Sequence, residues 1–117
     1  MKIRKFHLYL ADLSPRFGTE PGKRRPVVVL TRNSSIPYLA TVTVAPITSS
    51  IRGVPSEVVL NEEDGMKSLC AVNLYNATTV AQARLGKRVA QLRSSRMREV
   101  CSALHFSLGC DTRSLIG

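Results

Sequence analysis

The chain has 117 residues, enough for one domain with a modest core, and its 44% hydrophobic content argues against wholesale disorder. Lys and Arg outnumber Asp and Glu by 17 to 8, and the net charge of +9 favours polyanionic partners, nucleic acid ahead of an anionic membrane. No apolar run approaches the length of a bilayer, and there is no signal-peptide or amphipathic-anchor pattern, so a cytoplasmic protein without membrane attachment is expected.

Residues 6–12 alternate and predict a first strand, with Phe6, Leu8 and Leu10 on one face. A Gly/Pro-rich stretch follows, from Asp12 to Pro26. Pro15, Pro21 and Pro26 fix φ, Gly18 and Gly22 allow turns, and Lys23, Arg24 and Arg25 cluster at its end. A loop of this length in a small domain is usually functional, and clustered cations suit a phosphate-bearing partner.

The apolar run 26–30 predicts a strand buried on both faces. Residues 40–47 predict a third strand, with Val42, Val44 and Ile47 in the core and Pro46 at a bulge or edge. Thr48 to Gly53 is a polar loop, and Val54 to Leu60 a further strand. The acidic group that ends it, Asn61 to Asp64, reads as a solvated turn rather than a metal site. Residues 69–75 and 77–80 predict strand. Their polar groups Asn73, Asn76, Thr78 and Thr79 face either RNA or plain solvent. A last strand is expected over 87–92. Ser94 or Ser95 then caps a helix to about Leu108, with Met97, Val100, Cys101, Leu104 and Leu108 on its core face and Gly109 as the stop. Residues 110–117 read as a fraying tail.

The three cysteines form no C-x-x-C pair, which fits reduced thiols rather than a disulfide scaffold or zinc site. Cys70 and Cys101 are expected in the core and Cys110 at the surface. His7 and His105 have no companion at ligand spacing and read as structural or surface residues. No cofactor or metal is expected. Many short strands and one C-terminal helix predict a single mainly β domain over 1–117, a small curved sheet or barrel with the helix packed on it.

Four blocks in this order carry a resemblance: Ala11-Asp12-Leu13-Ser14-Pro15, Gly18-Thr19-Glu20, Arg25-Pro26-Val27-Val28-Val29-Leu30 and Val44-Ala45-Pro46-Ile47-Thr48-Ser49. The chain resembles the MazF/PemK family of toxin endoribonucleases, more loosely on to about Gly109. The resemblance implies an SH3-like small β-barrel and a homodimer with single-stranded RNA along the dimer interface. It also implies metal-independent cleavage and a cognate acidic, MazE-like antitoxin. It makes Arg25 and Thr48 the catalytic pair. Where family members usually carry Gly and then an acid before the first strand, this chain has Phe6 and His7.

RNA can be cut by its own 2′-hydroxyl, which needs a base, stabilisation of the phosphorane charge and an acid for the leaving oxygen. A guanidinium holds two phosphate oxygens at once, and Pro26 sets Arg25 on a rigid base. Thr48 would bond a phosphate oxygen or orient the 2′-hydroxyl. Glu20 is the candidate base, with a carboxylate paired to Lys23 or Arg24 as the equal alternative. Arg16, Phe17, Thr19, Lys23, Arg24, Ser49, Ser50, Arg52, Asn73 and Thr78 are the candidate RNA contacts. Phe17 would either stack on an unpaired base or pack within its loop. Two other functions compete: a non-catalytic toxin on the same barrel that binds DNA gyrase, and a plain RNA-binding module. Arg25, Thr48 and the Gly-Thr-Glu block together favour the nuclease.

Overall fold

The structure is a computed structural model that describes residues 2–13 and 24–110. The expected fraying of the tail past Cys110 therefore lies outside the described residues. Seven strands and one helix follow in the order β1 (His7–Asp12), β2 (Arg24–Val29), β3 (Thr41–Thr48), β4 (Glu57–Leu60), β5 (Cys70–Asn73), β6 (Thr78–Ala81), β7 (Leu85–Gln91) and α1 (Ser94–Leu108). The mainly β architecture with a C-terminal helix is as the sequence predicts. The strands are rich in Val, Ile and Thr, whose branched side chains suit a pleated, half-buried surface.

All pairings are antiparallel, and the sheet runs β4-β5-β3-β2-β1-β7, with β6 pairing β3 off that path. Among the described residues no ladder joins β4 to β7, so the barrel-like sheet is open. β3 serves two neighbours on one side. Thr41 to Val44 pair with β6, and Ile47 and Thr48 pair with β5. Ala45 and Pro46 fall in the gap between those ladders. Pro46 therefore sits inside a central strand, opposite Val27, at the step with no partner on that side. A residue lacking an N–H is tolerated at such a step.

The sheet separates two cores. The first gathers Leu8, Val28, Ala45, Ile47, Val58, Leu60, Val72 and Leu74 under α1, which adds Val100 and Ala103. The second, on the opposite face, holds Tyr9, Ala11, Leu13, Val27, Val29, Val42, Val44, Val80 and Leu85. β1 lies between β2 and β7, so Leu8 and Tyr9 are both fully buried on opposite faces. A one-faced reading of its alternation misses this. The Tyr9 hydroxyl stays satisfied, accepting from the Arg4 amide at 3.1 Å and donating to the Lys2 carbonyl at 3.3 Å.

Phe6 takes a φ of 66°. This left-handed conformation is one a bulky residue resists by about 1–2 kcal/mol and glycine does not. Here the ring packs against the first core, and the Phe6 amide donates to Val29 O at 2.8 Å.

α1 spans the predicted residues but is entered differently. Arg93, not a serine, occupies the N-cap, and it makes no side-chain cap bond. Leu92 must stay in the core while its amide donates to Phe6 O, so the helix begins directly after it. Gly109 ends it at φ 62°, its amide reaching His105 O and Phe106 O. The buried stripe is Val100 and Ala103, flanked by partly buried Met97 and Leu104. Cys101 is therefore exposed rather than core, and Leu108 is 64% exposed. Cys70 is buried and Cys110 exposed, both as expected.

The acidic turn is also not simply solvated. The Asp64 side chain has no exposure and takes both of its oxygens to Arg96 Nε at 3.1 Å. It also accepts from the Asn61 amide at 2.9 Å, while the Asn61 side chain accepts in return from Glu63 N. The turn is thereby tied to the first turn of α1. No helix of the described residues is long and apolar enough to cross a membrane.

Candidate active site

β2 begins at Arg24 and is held by β1 in the rows Asp12–Arg24, Ala11–Arg25 and Leu10–Pro26. Its other neighbour pairs Val27 with Pro46 and Val29 with Val44. Extending that register by two residues sets Arg25 across from Thr48. Cross-strand partners project on one face, and this face is that of Val27, Val29 and the second core. Arg25 and Thr48 thus emerge at the rim of that core, beside buried Leu13.

Two hollows meet at this pair. The smaller, of about 330 Å³, is lined by Arg25, Thr48, Ser50, Arg52, Glu57 and Asn73 among others. The larger, of about 590 Å³, is lined by Arg25, Thr48, Ser49, Lys67, Ser68 and Lys87 together with apolar Leu10, Met66 and Val89. Arg25, Ile47 and Thr48 belong to both. Cations therefore stand on each side of the pair, Arg52 on one and Lys67 and Lys87 on the other. The Thr48 Oγ1 accepts the Ser50 amide at 3.0 Å, which leaves its hydroxyl proton to donate. Asn73 is partly committed, its Oδ1 accepting the Tyr75 amide at 3.1 Å.

The remaining residues picked from sequence separate. Ser49, Ser50, Arg52 and Asn73 line one hollow or the other. Thr78 lies opposite Val44 on β6 and lines neither. Arg24 projects to the face opposite Arg25, where its guanidinium lies over Gly86; a Cβ there would sit 2.7 Å from Arg24 Nη1. Glu20, Arg16, Phe17, Thr19 and Lys23 lie outside the described residues. Four polar lining residues escaped the sequence reading: Lys67, Ser68, Lys87 and Glu57. Lys67 and Lys87 stand in unremarkable polar surroundings in the sequence. Glu57 carries the only signal, an acid that follows a Gly-containing loop whose amides need acceptors.

Neither Cys70 nor His7 is poised as a nucleophile or general base at this pair. Cys70 lines the larger hollow, but burial, with Asp64 nearby, pushes its thiol up, away from the reactive thiolate. His7 is held below its usual range by burial and by Arg88 and Arg4; its Nδ1 stands 3.5 Å from the Tyr9 hydroxyl, and it lines neither hollow. Among the described residues no three His, Cys, Asp or Glu gather in a metal-binding group.

Known proteins resemble this chain over most of its length. The profile of a family described as PemK-like, MazF-like toxin of type II toxin-antitoxin system matches residues 4–108. A probable endoribonuclease MazF5 of Mycobacterium tuberculosis is 46% identical over 88 residues, 74% of this chain and 81% of that protein. Among solved structures, the M. tuberculosis toxin MazF-mt6 superposes with a TM-score of 0.79 at 30% identity, covering 90% of this chain and 98% of that one. A MazE-MazF structure from Deinococcus radiodurans superposes with a TM-score of 0.77 at 25% identity, covering 95% and 99% of the two chains.

Proposed function

The chain belongs to the PemK-like, MazF-like family of type II toxins, and from that premise we propose that it is a sequence-specific endoribonuclease that cuts single-stranded messenger RNA without a metal. The observation that carries the reading is that Arg25 and Thr48, on neighbouring strands, line both hollows at once. A scissile phosphate over that pair would have cations on both sides for the flanking phosphates. The net charge of +9 adds long-range attraction for RNA.

In the proposed reaction the 2′-oxygen forms a bond to phosphorus and loses its proton to a base. The bond from phosphorus to the 5′-oxygen breaks, and that oxygen takes up a proton. The products are a 2′,3′-cyclic phosphate and a 5′-hydroxyl. Arg25 grips two non-bridging oxygens and neutralises the charge that builds on them. Thr48 donates its hydroxyl to the same phosphate or holds the 2′-hydroxyl in line. Glu20 is the proposed base. In this reading the enzyme works in the cytoplasm as a homodimer, with RNA along the interface. A MazE-like acidic antitoxin covers the basic surface, in keeping with the MazE-MazF assembly of the Deinococcus relative.

Incubation of the purified protein with a long RNA tests this directly. Cleavage in EDTA with a 2′,3′-cyclic phosphate on the upstream product is expected, and a free 3′-hydroxyl there would refute it. Arg25→Ala should stay folded and lose cleavage by about 10²–10³-fold or more. Retention of near wild-type rate would remove Arg25 from the chemistry. Binding without cutting, or no effect on RNA, would favour the RNA-binding module or the gyrase-directed toxin respectively.

A further inference from the structure

We propose that Glu57 is a positioning residue of this site: its carboxylate holds the loop between β3 and β4 so that Arg52 presents itself beside Arg25. The proposal rests on the RNA-cleavage reading above. The loop leaves the site at Thr48 and returns to it at Glu57, so its two ends, with Ser50 and Arg52 between them, border the same hollow. Apolar burial does little to hold it, since Ile51 and Val54 are 37% and 40% exposed. Its conformation is set by few hydrogen bonds. Ser50 N donates to Thr48 Oγ1 at 3.0 Å, and Glu57 N to Val54 O at 3.0 Å. The amides of Arg52 and Gly53 both donate to Glu57 Oε1, each at 2.9 Å. One carboxylate oxygen thus fixes two consecutive amides at the point where Gly53 turns with φ 71°.

Glu57 is itself well anchored. It pairs across the ladder with Asn73, another lining residue, and precedes Val58, which is buried in the first core. A rigid strand end therefore carries the clamp, and the loop carries the cation. Glu57 acts through the Arg52 and Gly53 backbone and not on the reacting atoms. Without it those amides return to water, and Arg52 leaves its place for most of the time. If the competent loop population falls to about a tenth, apparent affinity falls about tenfold.

Steady-state cleavage of a long single-stranded RNA by wild type, Glu57→Ala, Glu57→Gln, Arg52→Ala and the Glu57→Ala/Arg52→Ala double variant tests this. Glu57→Ala should raise KM about tenfold and leave kcat and its pH profile within about threefold. Glu57→Gln retains the acceptor and should stay near wild type in both constants. The double variant should bind no worse than Arg52→Ala alone, because the clamp acts through that residue. Additive effects would overturn the proposal, as would an unchanged KM. So would an equal loss of kcat in the alanine and glutamine variants with the acidic limb of the pH profile gone, which would make Glu57 a base. Should the alanine variant not fold, Glu57→Asp, one methylene short of the loop, must show the same rise in KM. If wild type leaves RNA intact, the functional reading fails by itself. Anisotropy of a fluorescent single-stranded RNA with the same variants then decides the clamp, a tenfold weakening supporting it and equal affinity overturning it.

Discussion

Replacing Asp64 with alanine removes the group that joins the turn after β4 to the start of α1. The side chain is wholly buried and bonds Arg96 Nε through both oxygens at 3.1 Å, the Asn61 amide at 2.9 Å, and stands 3.6 Å from Arg93 Nε. Removing one partner of a buried pair destabilises by about 3–5 kcal/mol, because the other charge is left unpaired. Arg96 keeps Glu99 at 3.0 Å and its side chain is 17% exposed, so the lower end applies. A loss of about 3 kcal/mol, or a fall of roughly 10–15 °C in Tm for a domain of this size, is expected. Thermal unfolding followed by circular dichroism at pH 7 measures it.

The same variant carries a pH signature. Burial alone would raise the Asp64 carboxyl, but the hydrogen bonds from Arg96 and the Asn61 amide, with the charges of Arg96 and Arg93, outweigh it. They hold the carboxyl below its usual range. A carboxyl depressed in the folded state contributes fully above its unfolded value, about pH 4, and loses that contribution as pH falls through the folded value. The stability gap between wild type and Asp64→Ala should therefore narrow only below about pH 4. A variant that loses less than about 1 kcal/mol at pH 7, or a gap that widens in acid, would refute the assignment.

Two further substitutions probe the scaffold around the site. Ser56 is buried, and its hydroxyl finds no partner among the described residues. Ser56→Ala should therefore be neutral or stabilising by up to about 1 kcal/mol in urea titration, and a loss above that would reveal a bond to the hydroxyl. Gly86→Val places a side chain against the Arg24 guanidinium and within 3.3 Å of the Leu10 carbonyl oxygen for its Cβ alone. The Arg24 guanidinium can swing aside, so the close backbone contact sets the cost, and a destabilisation of about 1 kcal/mol is expected in urea titration, with a stabilised variant contradicting the contact.

Sequence pattern carried most of the strands and the extent of α1, because β-branched runs and helical spacing are local signals. It placed the core valines of β3 correctly and did not place Cys101. A five-residue apolar set on a helix cannot say which edge of the stripe turns to solvent until the sheet beneath it is known. The buried Asp64 was illegible for a related reason, since Arg96, which takes both its oxygens, lies 32 residues onward. At the site, Arg25 and Thr48 could be named from their blocks, yet sequence gives no hint that Arg24 projects to the opposite face. That follows from the two-residue alternation of β2 once its register is fixed. Lys67, Lys87 and Glu57 come from three separate segments, and only the tertiary arrangement gathers them.

Arg25 and Thr48 stand at the adjoining ends of two strands whose ladder begins at Val27 and Pro46, while the neighbouring polar residues sit on connecting segments, which sets a fixed anvil beside exchangeable jaws. Connections can lengthen, shorten or change residue by residue without disturbing how two zipped strands face each other. On the proposal that this rim cuts RNA, such connections could alter which sequence fits while the pair at the strand ends keeps its place.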